Sequence, residues 1–461
     1  VPPALLEEGS ECFQHTGPSL VGAQLRHDGA TAAVVRPSAG AASPPQVLLV
    51  ERATGPGALE RVLTAAATAA LATATAGPAA RPVSVVLDVG PHLEHLLQHP
   101  GSLDPVAVVR VAPRPSTDPA LARHPSALLE ALVSRRWVVP GGHDLLGREL
   151  RLLDRAALAA AVADLAAASP RCVAVVAAGS AGQPVHERTV ADAVQAALPG
   201  ARISAAHDFG GHGSAAREAT VIADAALRGA VDAVVDRAEA VLRRRAGGRG
   251  AELRLCRGDG GSLSAERARA APVLVLGSGQ GPAVLGAAQL AVADGCRVLL
   301  PAADGGHLVG GVRNGLALVR PLVVGEPAAE LVVPSVALDR ARPSSPAADR
   351  PDRPDRTGRA GAPGAQARVP DVVADGELDE LACVGAALAR PLSWLDEIAA
   401  IGSADDLAAV QRAAVRRATA VATANGAEPG SADVVEVSTV AVPYSRAGTV
   451  RVRVRVGGVG R

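Results

Sequence analysis

Apolar positions along the chain fall into two kinds of run. Short β-branched or leucine runs alternate with longer stretches whose apolar residues recur at helical spacing. Leu20–Val35 alternates and breaks at Asp28-Gly29, which predicts a hairpin. Gln46–Glu51, Val83–Leu87, Val106–Val111, Val173–Ala178 and Leu253–Arg257 predict further strands. Between them, Gly57–Ala76 predicts an alanine-rich helix, and Pro91–His99 a short one opened by proline. Asp154 stands where an N-cap belongs before a helix over Arg155–Ala168, and Val185–Ala197 predicts the next. Pro140–Leu153 reads as loop-rich. Ala215–Arg245 predicts a long amphipathic helix broken at Gly229, and Ser264 opens a helix over Ala265–Ala270. Strand alternating with helix in this way argues for an α/β architecture with strands partly parallel.

Pro272–Gly315 carries the densest pattern. It predicts a strand (Val273–Leu276), a glycine turn (Gly277–Gly281), a helix (Ala283–Ala293) and a second strand (Cys296–Leu300). Asp304-Gly305-Gly306-His307 follows, then Gly310-Gly311 and Asn314-Gly315 mark a hairpin before the strand Ala317–Val324. Glycine turns at strand ends let backbone N–H groups close on a phosphate, because no Cβ blocks the approach. The plainer alternative is that small residues here simply pack helix on sheet. From Ala341 to Ala367 the composition collapses to Arg, Asp, Pro, Ala and Gly, which predicts a disordered linker. Beyond it, Leu378–Ala389 and Ala404–Asn425 predict helices. Val434–Val442 and Thr449–Val456 alternate as an amphipathic hairpin with valine on one face and arginine on a wet one.

Composition narrows the chemistry. The 461 residues suffice for about three domains, and 48% are apolar, yet aromatics number only two Trp, two Phe and one Tyr. The core is therefore Ala, Val and Leu. With 46 basic and 46 acidic residues and no stacking platform, nothing predicts a nucleic-acid groove. Lysine is absent, which removes Schiff-base and P-loop lysine chemistry. Cys12, Cys172, Cys256, Cys296 and Cys383 lack zinc or redox spacing; Cys172 and Cys296 lie in apolar runs and read as buried thiols of a reducing cytoplasm. The N-terminus has no basic n-region of a secretory signal, and Leu63–Ala76 is too short and weakly apolar to span a bilayer. A soluble cytoplasmic protein is the expectation.

Several short motifs then line up in order. Ser278 to Ala287 matches in length an SGPAxxxxGA segment, preceded by Arg257-Gly258-Asp259-Gly260-Gly261 as an NGG/DGG turn. Pro184-Val185-His186-Glu187 is similar to an NPxHE element. Gly385-Ala386-Ala387 and Asn425-Gly426-Ala427-Glu428-Pro429 are similar to late GAA and AGAxP elements, and Val442-Pro443-Tyr444 to a terminal PLxY hairpin. From about Val83 to Gly458 the chain thus resembles the hydantoinase/oxoprolinase family, in its A-type (ATP-binding) subunit, with the linker as an unmatched insertion.

The resemblance implies an α/β, actin-like ATPase (ribonuclease-H-like) two-lobed fold completed by a C-terminal β-hairpin element. It implies ATP and Mg²⁺ as cofactors and ATP-driven opening of a lactam or hydantoin ring, with a B-type partner subunit or a homo-oligomer. It implies nucleotide contacts at Gly260, Gly261, Ser278, Gly279, Gly281, Gly286, Gly305 and Gly306, a metal ligand at Asp304, and catalytic roles for Asp304, His307, His186 and Glu187. The chain would divide into an N-terminal domain (1–200), a core domain (201–340), the linker (341–370) and a C-terminal segment (371–461).

Departures from the family pattern fall on the chemistry. The first phosphate hairpin has Gln24-Leu25-Arg26-His27-Asp28-Gly29 in place of Asp-x-Gly-Gly-Thr. The second keeps Gly305-Gly306 but has Ala303 for the Asp and His307 for the Thr, with Asp304 one position late. A member that has lost its ATP site and serves as a partner or scaffold subunit is therefore the second reading. A third is a metal-dependent hydrolase using His92, His95 and His99, which share a helix face near Glu94. His143-Asp144 and His207-Asp208 pair imidazole with carboxylate in sequence, and His207, His212 and Arg217-Glu218 flank Gly210-Gly211 as a candidate substrate loop.

Overall fold

The computed structural model describes residues 19–38, 43–73, 82–116, 123–246, 251–302, 304–341, 369–443 and 445–460. The expected linker, apart from its edges, and Cys12, Ala303 and Tyr444 lie outside these.

The largest sheet has six strands, in the order Ser262–Ser264, Ala251–Cys256, Val83–Asp88, Leu20–Leu25, Gly29–Arg36, Gln46–Thr54. Leu20–Leu25 and Gly29–Arg36 form the expected hairpin, with Leu25 opposite Ala30. Val83–Asp88 runs parallel to Leu20–Leu25 on one side and to Ala251–Cys256 on the other. The sheet thus takes strands from both sides of residue 200. Its strands read as unbroken apolar runs because both faces are covered, one by Ala58–Thr73 and the long helix Ser214–Ala246, the other by Leu378–Ala387. Contact with Leu378–Ala387 needs Gly22, where a Cβ would lie 1.8 Å from the Cys383 carbonyl oxygen.

Between Val83–Asp88 and Ala251–Cys256 the chain builds a second, all-parallel sheet, ordered Arg202–Ala205, Cys172–Ala177, Val106–Ala112, Val133–Pro140. Arg155–Ala168 and Val185–Ala197 pack on one face, and Ser214–Ala246 covers the other. Asp154 caps as expected, its Oδ1 accepting from Ala157 N at 2.9 Å. The long helix does not break at Gly229; it runs unbroken for 33 residues. A Cβ at Gly229 would sit 3.1 Å from Asp104 Oδ2 and 3.2 Å from Arg202 Nη1, so the glycine serves close approach rather than a bend.

The densest stretch departs from expectation at its first element. Pro272–Val275 is a 3₁₀ turn, not a strand. Proline brings no N–H to a ladder, and the Val273 amide donates to buried Asp224 at 3.1 Å instead. The helix Gly281–Leu290 and the strand Cys296–Pro301 follow as expected, the strand entering a sheet with His307–Arg313, Leu316–Ala317, Asp371–Val373 and Leu338–Arg340. Gly310 and Gly311 lie inside a strand; Asn314 and Gly315, at φ +54° and +67°, make the turn. Val319–Val324 pairs with Ala329–Val336, a strand the apolar pattern did not single out.

At the C-terminus, Thr449–Gly457 lies between Asp433–Ala441 and Leu392–Ala400. Its valines pack under Ala414, Ala418 and Ala422 of the helix Ala404–Ala424. Its arginine face is only partly wet. Arg451 and Arg453 converge on Asp396, and Arg455 is buried, donating to the Ala317 carbonyl at 3.0 Å. The four described cysteines are free and buried. No helix among the described residues is long and apolar enough to cross a membrane.

Candidate functional site

Asp88 ends the central strand of the six-stranded sheet, where an apolar run meets Gly90-Pro91 and turns into the helix Gly90–Gln98. Its carboxylate is fully buried and ringed by donors: Gln24 Nε2 at 2.9 Å, Gly90 N at 3.0 Å and Ser278 Oγ at 2.5 Å. Ser278 comes this near because residue 90 is glycine; a Cβ there would lie 2.2 Å from Ser278 Oγ. Strand end, helix start and the Gly277–Gly281 turn therefore meet at one carboxylate.

Beside this junction opens a cavity of about 690 Å³. One wall is Gly277, Gly279, Gln280 and Gly281; a second is Glu94, Leu97 and Gln98; a third is Leu322–Gly325 with Ser335 and Arg320. The amides of Gly279 and Gln280 have no protein acceptor among the described residues, and they precede the ten-residue helix Gly281–Leu290. Unpaired amides at a helix N-terminus favour an anion. Arg320 adds a positive charge on the opposite side, although it also pairs with exposed Asp339 at 3.3 Å.

Two carboxyls here are set apart by their surroundings. Burial raises Asp88, opposed by its bonds from Gln24, Ser278 and Gly90. Glu94 is pushed up to about 7, first by burial and then by the charge of Asp88, with the Gly277 amide opposing. Glu94 is thus a carboxyl that trades its proton near neutrality on the wall of an open cavity, which is the requirement for a general acid or base.

The expected nucleotide residues separate into three groups. Gly279 and Gly281 line the cavity, and Ser278 stands behind them on Asp88. Gly260 and Gly261 do not form an open cradle: a Cβ on Gly260 would be 2.7 Å from Leu285 Cδ1, and on Gly261 2.4 Å from the Leu392 side chain. Leucines fill the space a phosphate would need. Gly286 is likewise a packing glycine, 2.0 Å at its absent Cβ from the Leu381 carbonyl oxygen. Gly305 and Gly306 sit on an open, exposed turn away from the cavity wall.

Asp304 lies on that same exposed turn. It bonds the Gly306 amide at 3.2 Å and Arg340 Nη1 at 2.6 Å, and these hold its pKa below the ordinary range, the amide first. Its charge is answered by arginine, so as a metal ligand it is poorly placed. His307 is exposed at the start of the next strand, opposite Pro301. Asp304 and His307 therefore share a hairpin with each other but not the cavity with Glu94.

His186 and Glu187 belong to the parallel sheet. Glu187 is fully buried and accepts from Ala177 N (2.7 Å), Ser180 Oγ (2.6 Å), His207 N (2.6 Å) and His207 Nδ1 (2.8 Å). A carboxylate so saturated ties the first turn of one helix to the ends of two strands. That bonding makes it an anchor of this junction. Glu187→Ala strands these donors and should destabilise the chain by about 3 kcal/mol, read from urea unfolding; a loss below about 1 kcal/mol would contradict that role.

The histidine helix also differs from expectation. His95 stacks on His27 and lies against His99, with ring centroids 4.3 Å apart in both pairs, and His99 Nδ1 bonds the His95 carbonyl. His92 keeps a buried Nδ1 without a partner. Among the described residues His92, His95 and His99 do not make a metal-ligand group; His143, Glu149 and His186 do. Arg217, expected beside a substrate loop, is buried with Nε on the Gly210 carbonyl at 3.2 Å.

The profile of the hydantoinase/oxoprolinase N-terminal region matches residues 114–198, the stretch that supplies two of the four strands of the parallel sheet and carries His186-Glu187. In this stretch the chain is similar to the hydantoinase/oxoprolinase N-terminal region. Among solved structures of similar fold is the ATP-dependent caprolactamase from Pseudomonas jessenii, with a TM-score of 0.62 and 12% identity, covering 95% of this chain and 87% of that one. Another is acetone carboxylase in a nucleotide-free state, described for ATP-dependent acetone carboxylation, with a TM-score of 0.51 and 16% identity over 70% of this chain. The chain spans about half, 48%, of that acetone carboxylase chain. No curated protein matches by sequence.

ATP fits the donors at the cavity: free amides at a helix start, Arg320, and room beside apolar Leu97, Leu322 and Val323. Bound there, it would supply a phosphoryl group able to activate an amide oxygen. Mg²⁺ fits less well. It asks for ionised carboxylates or its own waters, whereas Asp88 is enclosed by donors, Glu94 holds its proton to about 7, and Asp304 faces Arg340.

Proposed function

We propose that the chain is the A-type, nucleotide-binding subunit of an ATP-dependent cyclic-amide hydrolase acting on a lactam or hydantoin ring. The observation that carries this reading is the cavity beside Asp88, where a glycine turn and a protonatable carboxyl face one space. The strand order of the large sheet, a hairpin followed by two parallel strands, supports an actin-like fold for that lobe, and the hairpin Cys296–Arg313 beside parallel Asp371–Val373 supports a second such lobe. The caprolactamase and acetone carboxylase likenesses support ATP as the nucleotide.

In this reading Gly279 and Gln280 hold phosphate oxygens through their amides, and Arg320 offsets the remaining charge. Asp88 orients Ser278 and Gln24, which fixes the turn. Glu94 moves a proton at its carboxyl oxygen, to or from the ring amide or the attacking water. Leu322 and Val323 give the opposite wall an apolar surface. No covalent intermediate on the protein is required; positioning and charge compensation suffice.

The second reading, a subunit without turnover, is favoured by two observations. Leucines fill the space above Gly260-Gly261, and Arg26 closes the tip of the first hairpin on Asp28 at 3.2 Å. ATP consumption measured with 5-oxoproline, hydantoin and caprolactam separates the two readings. Substrate-dependent release of ADP supports the hydrolase; ATP binding without release under every substrate and with added partner subunit supports the scaffold. Asp304→Ala is expected to leave nucleotide affinity unchanged in calorimetry, because Asp304 is exposed and paired with Arg340. Loss of affinity in that variant would return the metal role to Asp304.

A further inference from the structure

The carboxyl edge of the parallel sheet holds a second constellation that the nucleotide reading does not use. Gly142–His143 pairs antiparallel with Glu149–Arg151, and His143 and Glu149 are direct cross-strand partners, so their side chains share a face. The loop between them is pinned by Asp144, whose Oδ1 accepts from Leu146 N at 3.0 Å and Arg148 N at 2.9 Å. It is also clamped from below, since a Cβ at Gly179 would lie 2.2 Å from the His143 carbonyl oxygen. His186 reaches the same spot from the first turn of Val185–Ala197.

The three side chains converge. The imidazoles of His143 and His186 are 4.3 Å apart at their centroids, and His186 Nε2 lies 3.0 Å from Glu149 Oε1. One ligand-capable atom from each residue lies within 4.8 Å of the others, and no other such trio occurs among the described residues. His143 and His186 are buried, at 5% and 7% exposure, and His143 Nδ1 has no hydrogen-bond partner. Two buried imidazoles meet at a tilt of 48° beside a carboxylate, one with an orphaned nitrogen, and a shared cation would satisfy both.

We propose that His143, His186 and Glu149 bind one divalent transition-metal ion of the zinc class, independently of the nucleotide. Two imidazoles select zinc, cobalt or nickel over magnesium, which prefers oxygen alone. Ligand atoms on a tetrahedral ion lie roughly 3.3 Å apart, and the exposed Glu149 side chain can close the remaining gap by changing rotamer. Its exposure also leaves a coordination position open to solvent.

Ion entry has a specific proton requirement. The Gly142 amide donates to His186 Nδ1 at 3.0 Å, so the ring proton sits on Nε2 toward Glu149. A metal on Nε2 moves that proton to Nδ1, and the Gly142 amide must turn away. Gly141 and Gly142, at φ +154° and +125°, bracket the peptide that turns, and neither carries a Cβ to oppose it. The turn would present the Gly141 carbonyl to Nδ1–H, the usual outer partner of a metal-bound histidine.

The test is titration of the full, chelator-stripped chain with Zn²⁺ by calorimetry and with Co²⁺ by visible absorption. One equivalent is expected to saturate the protein and to give ligand-field bands of cobalt bound by nitrogen and oxygen. His143→Gln and Glu149→Gln should each weaken binding by at least about tenfold. Glu149 is exposed, so its variant tests the site without disturbing the core, and matched thermal melts confirm folding. His95→Gln, in the separate histidine stack, should change nothing. No saturable binding by the wild-type chain, or binding that survives Glu149→Gln and disappears in His95→Gln, overturns the site.

Discussion

Gly385→Ala is expected to lower unfolding free energy by about 3 kcal/mol or more, or to prevent folding outright. The helices Leu378–Ala387 and Gly281–Leu290 meet backbone to backbone, and the new methyl would lie 1.8 Å from the Pro282 carbonyl oxygen. That neighbour is main chain within a helix start and has no rotamer through which to retreat. Gly286 faces the same contact from the other side, 2.0 Å at its absent Cβ from the Leu381 carbonyl oxygen. The second face of Leu378–Ala387 rests on Gly22, so one helix is held through glycines to both the large sheet and the Gly281 helix. Urea unfolding of Gly385→Ala beside wild type measures the loss. A change below about 1 kcal/mol would mean that the helices have room to separate.

Glu94→Gln should reduce ATP-driven ring opening by about 10² and remove the rate's dependence on a group titrating near neutrality. The amide keeps the size of the side chain but cannot trade a proton, so a merely structural residue would leave the pH profile in place. Stability should move the other way. The Glu94 pKa of about 7 lies above the 4.5 of an unperturbed glutamate, so its contribution is intact below pH 4.5 and is lost as pH rises through about 7. Wild type is therefore expected to lose up to about 3 kcal/mol across that window relative to Glu94→Gln. Parallel unfolding curves at the two ends of the window check this; equal pH dependence in both proteins would contradict it.

Most strands and helices could be read from the sequence because their apolar periods were clean. The hairpin at Asp28-Gly29, the Asp154 cap and the valine face of Thr449–Gly457 all carried local signals strong enough to survive tertiary context. Val273–Leu276 misled because an apolar run does not reveal that a distant aspartate, Asp224, will take its amide. Gly229 misled because a helix tolerates glycine where neighbouring side chains press close.

The site was legible only in part. The turn Ser278–Gly281 pointed to the cavity, but glycine motifs do not disclose whether the space above them is open. Leu285 and Leu392 fill it at Gly260-Gly261, and those contacts come from elements distant in sequence. Asp88 carried a usable signal, a lone carboxylate ending an apolar strand before Gly-Pro. Glu94 stood in the sequence among histidines, and its environment depends on Asp88 and Gly277, which the fold alone brings near. The His143–Glu149 register likewise arises from a short hairpin inside a stretch that reads as loop.

Calorimetric titration of ATP into wild-type chain and Arg320→Glu tests the central claim most directly. The cavity lined by Gly279, Gln280, Glu94 and Arg320 should take one nucleotide per chain, with affinity falling at least about tenfold when the guanidinium becomes a carboxylate. Absence of saturable ATP binding by the wild type, or equal affinity in the variant, would contradict it.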